Sequence, residues 1–234
     1  MRHANVMTLA IAMAAGCATS GGNRSGSVSD VDFAKVPTSQ MGPVDQARQS
    51  VSRAGDEQAR AELRLREAGR EDQLATADVN AAQALADQAR TMSQVATENR
   101  DAKKLEQSRA LMEQAGAQRR AADARNDYAK KLIAARQASK VAADKQRALA
   151  DAKLDLAKLQ ALRKADTQAA NKYDIGAHEQ RVQQAQAGLD SAQQQARDQQ
   201  WWAQQAQRVY ADAQRELRAQ TSATGSSQTG TGSR

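Results

Sequence analysis

The chain has 234 residues and a net charge of +7, with aromatic residues at 3% and a 40% hydrophobic fraction that is largely alanine. A methyl group buries little area, so this composition excludes a thick globular core. The single cysteine excludes an intrachain disulfide, and the two histidines leave no cluster with zinc-ligand spacing.

Met1 to Gly16 reads as a signal peptide, with a basic start at Arg2, an apolar run from Val6 to Ala15 and small residues before the cut. The run is too short to span a bilayer as a mature helix. Removing Arg2 with the leader lowers the net charge to +6, which still favours anionic neighbours. The stretch Ala14-Ala15-Gly16-Cys17 resembles the lipobox of bacterial lipoproteins, although Ala14 stands where leucine is usual. The resemblance implies cleavage before Cys17 and acylation of its thiol, so that membrane lipid is the first partner. Ala18 follows the cysteine instead of the aspartate that retains enterobacterial lipoproteins in the inner membrane, and by the same resemblance favours the outer membrane facing the periplasm. Ala12-Met13-Ala14 is a competing ordinary cleavage site, whose use releases a soluble protein. Export through either site argues against nucleic acid as a partner.

Residues 17–42 are Gly/Ser-rich at first and carry Pro37, with Pro43 just past their end, so they read as a lipidated cysteine and flexible tether. From Pro43 to Gln220 the sequence favours helix throughout. Three heptad stripes run through it. The first places Val44, Val51 and Leu65 with Ala47, Ala54, Ala61 and Ala68. The second follows Tyr128, Ala135, Ala142, Leu149 and Leu156, with Ala138, Ala152 and Leu159 between and Lys131 and Lys145 as interruptions. The third takes Val182, Leu189, Ala196, Ala203, Tyr210 and Leu217, with alanines interleaved and Gln199 as its one break. One straight helix over 43–172 measures about 195 Å, so a reversal is expected. Asn171 to Gly176 supplies turn formers and an N-cap, Asp174, ahead of a final helix over roughly 177–220; Asn99-Arg100-Asp101 and Gly116 are weaker candidates for an earlier break. Residues 221–234 are Ser, Thr and Gly with one terminal arginine and are expected to be disordered. The expected fold is all-α: an elongated antiparallel helical hairpin or two-to-three-helix coiled-coil bundle with disordered ends.

No catalytic constellation, cofactor fingerprint or metal site is legible, and a non-enzymatic role is expected. His3 leaves with the leader, and His178, just after the turn, reads as a solvated or capping residue. Lys103-Lys104, Arg119-Arg120 and Lys130-Lys131 read as solvated helix surface. Trp201-Trp202 falls beside the last stripe and is the candidate partner contact, with packing against another helix as the competing role.

In leader, cysteine and helical character the chain resembles the alanine-rich coiled-coil lipoproteins of Gram-negative envelopes, of the Braun type. It ends Gly232-Ser233-Arg234 instead of the lysine that joins that type to peptidoglycan. The resemblance implies a structural spacer or scaffold, capable of self-association. The alternative is a helical binding module that recruits an envelope protein, an export component or peptidoglycan.

Overall fold

The computed structural model describes residues 26–165 and 168–227, and its regular structure is entirely helical. A short helix α1 (Asp30–Phe33) and a 3₁₀ turn (Thr38–Gln40) precede three long helices: α2 (Gly42–Glu98), α3 (Ala102–Lys164) and α4 (Ile175–Ser227). Their 57, 63 and 53 residues correspond to lengths of about 85, 95 and 80 Å at 1.5 Å per residue. Helices α2 and α4 each pack antiparallel along α3, making α3 the shared spine of an elongated bundle.

The α2–α3 seam is made of the smallest side chains. On α2 an alanine is buried at every seventh position from Ala54 through Ala61, Ala68, Ala75, Ala82 and Ala89 to Ala96. The matching column on α3 runs Ser108, Ala115, Ala122 and Ala129, is interrupted by Arg136, and resumes at Ala143 and Ala150. Register is fixed by cross-helix bonds: Gln58 Nε2 to Asp144 at 2.8 Å, Arg119 to the Gln83 side-chain oxygen, and Arg125 to both Glu71 and Asp78. This register sets Ala75 level with Ala129 and Ala89 level with Ala115. Methyl against methyl lets the backbones approach closely, and a seven-residue repeat keeps the seam aligned for the whole length. Each layer contributes little, so stability accumulates over many layers.

The α3–α4 seam joins the second and third heptad stripes of the sequence. Tyr128 stacks on Tyr210 with ring centroids 6.1 Å apart, and Gln200 donates to Ser139 Oγ at 3.3 Å. In that register Ala135 lies level with Ala203, and Leu149 with Leu189; all four are buried.

The two reversals differ in construction. Between α2 and α3 the chain turns within three residues. Asp101 N–H donates to Ala96 C=O at 2.9 Å and Arg100 N–H to Thr97 C=O at 3.2 Å, a Schellman closure with Arg100 at φ 54° where glycine is usual. Asp101 then caps α3 by accepting the Lys104 N–H. The break falls at Asn99–Asp101, therefore, and Gly116 lies inside α3. The second reversal begins earlier than the expected 171–177, because α3 ends at Lys164 and a 3₁₀ turn occupies Gln168–Lys172. Asp174 is the N-cap of α4, its Oδ1 accepting Gly176 N–H at 2.9 Å.

The described part of each expected loose end, 26–42 and 221–227, carries structure. Residues 28–41 fold onto the base of the rod, where Val28 and Phe33 are buried with Val44, Leu159 and Leu162. Arg48 and Lys158 both lie over the Phe33 ring, each cation 5.6 Å from its centroid. A tether reaching to residue 42 is thus corrected: apolar side chains in a Pro-containing segment close the end of the bundle. At the other end α4 continues to Ser227, with Thr221 and Ser222 hydroxyls bonded to the Arg218 carbonyl, so the helix enters the segment expected to lack order. The leader 1–16, Cys17, Ala18 and residues 228–234 lie outside the described residues.

Candidate functional site

Three groups of side chains depart from a plain solvated rod. The first clamps the amino-terminal segment to the base. Asp32 is buried; it accepts from Lys172 Nζ at 3.2 and 3.3 Å and from the Tyr173 hydroxyl at 3.0 Å, while Tyr173 accepts the Ser29 N–H. Lys172, then Tyr173, hold the Asp32 carboxyl below its ordinary range. Lys158 bonds Asp30 at 3.0 Å and lowers its carboxyl in the same way.

The second group lies just above, between α3 and α4. His178 is 1% exposed, which corrects the expectation of a solvated residue. The ring nitrogen Nδ1 lies 2.8 Å from Asp174 C=O, which also accepts the His178 backbone N–H, so the ring is tied to the first turn without capping its free N–H groups. A carbonyl can only accept, so this nitrogen carries the proton. Tyr173 and the His178 ring form a T-shaped pair, with centroids 6.4 Å apart and planes at 85°. His178 Nε2 and the Nε and Nη2 atoms of Arg181 are buried with no hydrogen-bond partner among the described residues. Nearby Asp155 is pushed up by burial, an effect opposed by Arg181, Lys158 and His178. His178 lies seven residues before Ala185, on the interleaved row of the third stripe, so extending the heptad one step back into the first turn of α4 accounts for this burial.

The third group is the tryptophan pair. Trp201 and Trp202 are 51% and 52% exposed and pack edge to face on each other, with centroids 4.5 Å apart. The seam positions beside them, Ala203 and Ala206, are buried against α3. Their packing against a further helix, the competing expectation, is therefore absent among the described residues. The rings face outward because α2 lies on the other flank of α4: Asp78 and Ala81 of α2 share a groove with Tyr210 and Gln214.

The basic pairs divide. Lys104 pairs with Asp101 at 3.5 Å, and Arg119 with Asp123 at 3.8 Å. Lys103, Arg120, Lys130 and Lys131 are exposed. Among the described residues no group of three or more His, Cys, Asp or Glu side chains is arranged to hold a metal ion, and no helix is long and apolar enough to cross a membrane. Comparison with protein-family models, with curated proteins and with solved structures gives no match.

Proposed function

We propose that the chain is a membrane-anchored structural lipoprotein of the bacterial envelope, held by lipid on Cys17 at the periplasmic face of the outer membrane and acting as a helical spacer or scaffold. The observation that carries this reading is the point at which the chain enters the rod. Residues 28–41 are fastened to the base, beside the α3–α4 turn, by the buried Phe33 and the Asp32–Lys172 bond. Cys17 precedes the first described residue, Gly26, by nine positions, a chain reach of at most about 30 Å. A lipid there anchors one end of the molecule, and the α2–α3 turn marks the other end about 85 Å away. Continuous small-residue seams suit a stiff element of this length.

A second reading, a helical module that recruits an envelope protein, an export component or peptidoglycan, is favoured by the exposed Trp201-Trp202 pair. A pull-down from crosslinked membranes separates the two. A stoichiometric partner protein lost on Trp201→Ala/Trp202→Ala supports the module, and crosslinks confined to copies of this chain support the scaffold. Salt-sensitive sedimentation with purified peptidoglycan tests the glycan form of the second reading.

A further inference from the structure

We propose that the outward face of α4 around Trp201 and Trp202 rests on the surface of an anionic lipid bilayer. This deepens the tethered-rod reading by fixing how the rod lies on its membrane, and it rests on that reading for the presence of a membrane.

The face is apolar where it projects furthest. Both indoles are half exposed, and Val209, seven residues after Trp202 and thus on the same side of the helix, is 61% exposed about 10 Å further along. The two ring planes cross at 78°, so the pair forms a ridge and not a flat platform. A ridge of indoles suits the boundary between headgroups and acyl chains, where an apolar ring body and a polar N–H are both accommodated.

The flanks of the ridge carry unpaired cations. Arg197 lies one turn before Trp201 and Arg208 two turns after it, and neither has an ion-pair or hydrogen-bond partner among the described residues. On α3, Lys145 passes beside Gly188, which belongs to the same row of α4 as Trp202 and Val209. Lys131 lies two heptads earlier in that α3 row, and neither lysine is paired among the described residues. Of the acidic residues on or beside the face, Asp198 accepts from Gln194, Asp212, one turn after Arg208, is paired with Arg215, and Glu216 lies a full heptad beyond Val209. Cations around an indole ridge complement lipid phosphates, whose surface field attracts each of them within a Debye length.

The position along the rod gives the consequence. Trp201 lies 26 residues into α4, about 40 Å from the base. A second contact there, added to an anchor at the base, lays the rod along the bilayer instead of standing it upright. It also turns α2, on the other flank, away from the lipid.

The test uses the mature chain, residues 17–234 with Cys17→Ser, which carries neither the apolar leader nor an acyl group, so that this contact is separated from the tether. Trp201 and Trp202 are the only tryptophans, and their emission reports this face alone. With vesicles of equal parts phosphatidylglycerol and phosphatidylcholine, the expected result is a blue-shifted emission and co-sedimentation that weakens about tenfold or more from low to high salt. Trp201→Ala/Trp202→Ala, with unchanged helicity by circular dichroism, abolishes co-sedimentation, and Arg197→Gln/Arg208→Gln weakens it severalfold. Unshifted emission, equal binding to pure phosphatidylcholine, or undiminished binding by the tryptophan variant overturns the proposal. So does a blue shift that follows protein concentration without vesicles, which marks a second copy as the occupant. Failure of Cys17 acylation in cells leaves this outcome unchanged, so the two readings fail separately.

Discussion

Replacing Ala75 by leucine tests whether the α2–α3 seam is held by close contact of methyl groups. Ala75 and Ala129 are both fully buried and lie at one level of the antiparallel pair. A leucine brings three more carbons into a layer that has no space for them. The helices must part locally or the side chain must adopt a strained rotamer, at a cost of roughly 1–3 kcal/mol. For a chain of this size each kcal/mol lowers the melting temperature by about 2–4 °C, which gives a fall of about 2–12 °C. Thermal melting followed by circular dichroism measures it. Ala77→Leu, two residues away and exposed, is the control; leucine is nearly as good a helix former as alanine, so its effect stays within about 0.5 kcal/mol. A double-mutant cycle with Ala129→Gly adds a sharper criterion. Glycine alone costs about 1 kcal/mol of helix propensity, but opposite the introduced leucine it makes room, so the two substitutions couple favourably. An Ala75→Leu protein that melts at or above the wild-type temperature, with no coupling to Ala129→Gly, refutes a close-packed seam.

The turn and the base give three further expectations. Arg100→Gly stabilises the protein by about 1 kcal/mol in chemical denaturation, because the residue at φ 54° no longer bears a Cβ; an unchanged or lower midpoint contradicts the Schellman assignment. Asp32→Asn lowers the melting temperature at neutral pH. Lys172 and Tyr173 depress the Asp32 carboxyl, so its stabilising ionised form is present above the unfolded value near pH ~4 and is lost as the pH falls through the depressed folded value; the gap between variant and wild type therefore closes on acidification. Asp155→Asn has the opposite sign. Burial raises that carboxyl, so wild-type Asp155 destabilises the fold at neutral pH and ceases to do so as the pH falls through the raised value. The variant melts higher than wild type near pH ~7, and the two converge in acid; a lower melting temperature at neutral pH shows that Arg181, Lys158 and His178 outweigh burial.

Much of the rod is written in its heptads. The stripes through Tyr128 and Val182 face each other in the folded chain, and the Tyr128–Tyr210 stack is the point at which their registers lock. Large side chains made those stripes legible. The α2 column was visible only to Ala68, because alanine marks buried and exposed positions alike: Ala75 and Ala82 are in the seam, whereas Ala77 and Ala84 face solvent. Its α3 counterpart, from Ser108 to Ala150, was hidden for the same reason. The sharp turn at Arg100 escaped clear recognition because a non-glycine residue occupies the left-handed position. Val28 and Phe33 were obscured by their setting of glycine, serine and proline, and their burial depends on Leu159 and Leu162, more than 120 residues away. For Trp201 and Trp202 the sequence offered both packing and contact, and only the placement of α2 on the opposite flank decides that the rings face outward.

Fatty-acid labelling of cells that express the wild-type chain or Cys17→Ser, followed by membrane fractionation, tests the membrane-anchored rod most directly. A labelled, membrane-associated wild type and an unlabelled Cys17→Ser variant are expected. An unlabelled wild-type protein recovered in the soluble fraction contradicts the membrane-anchored rod.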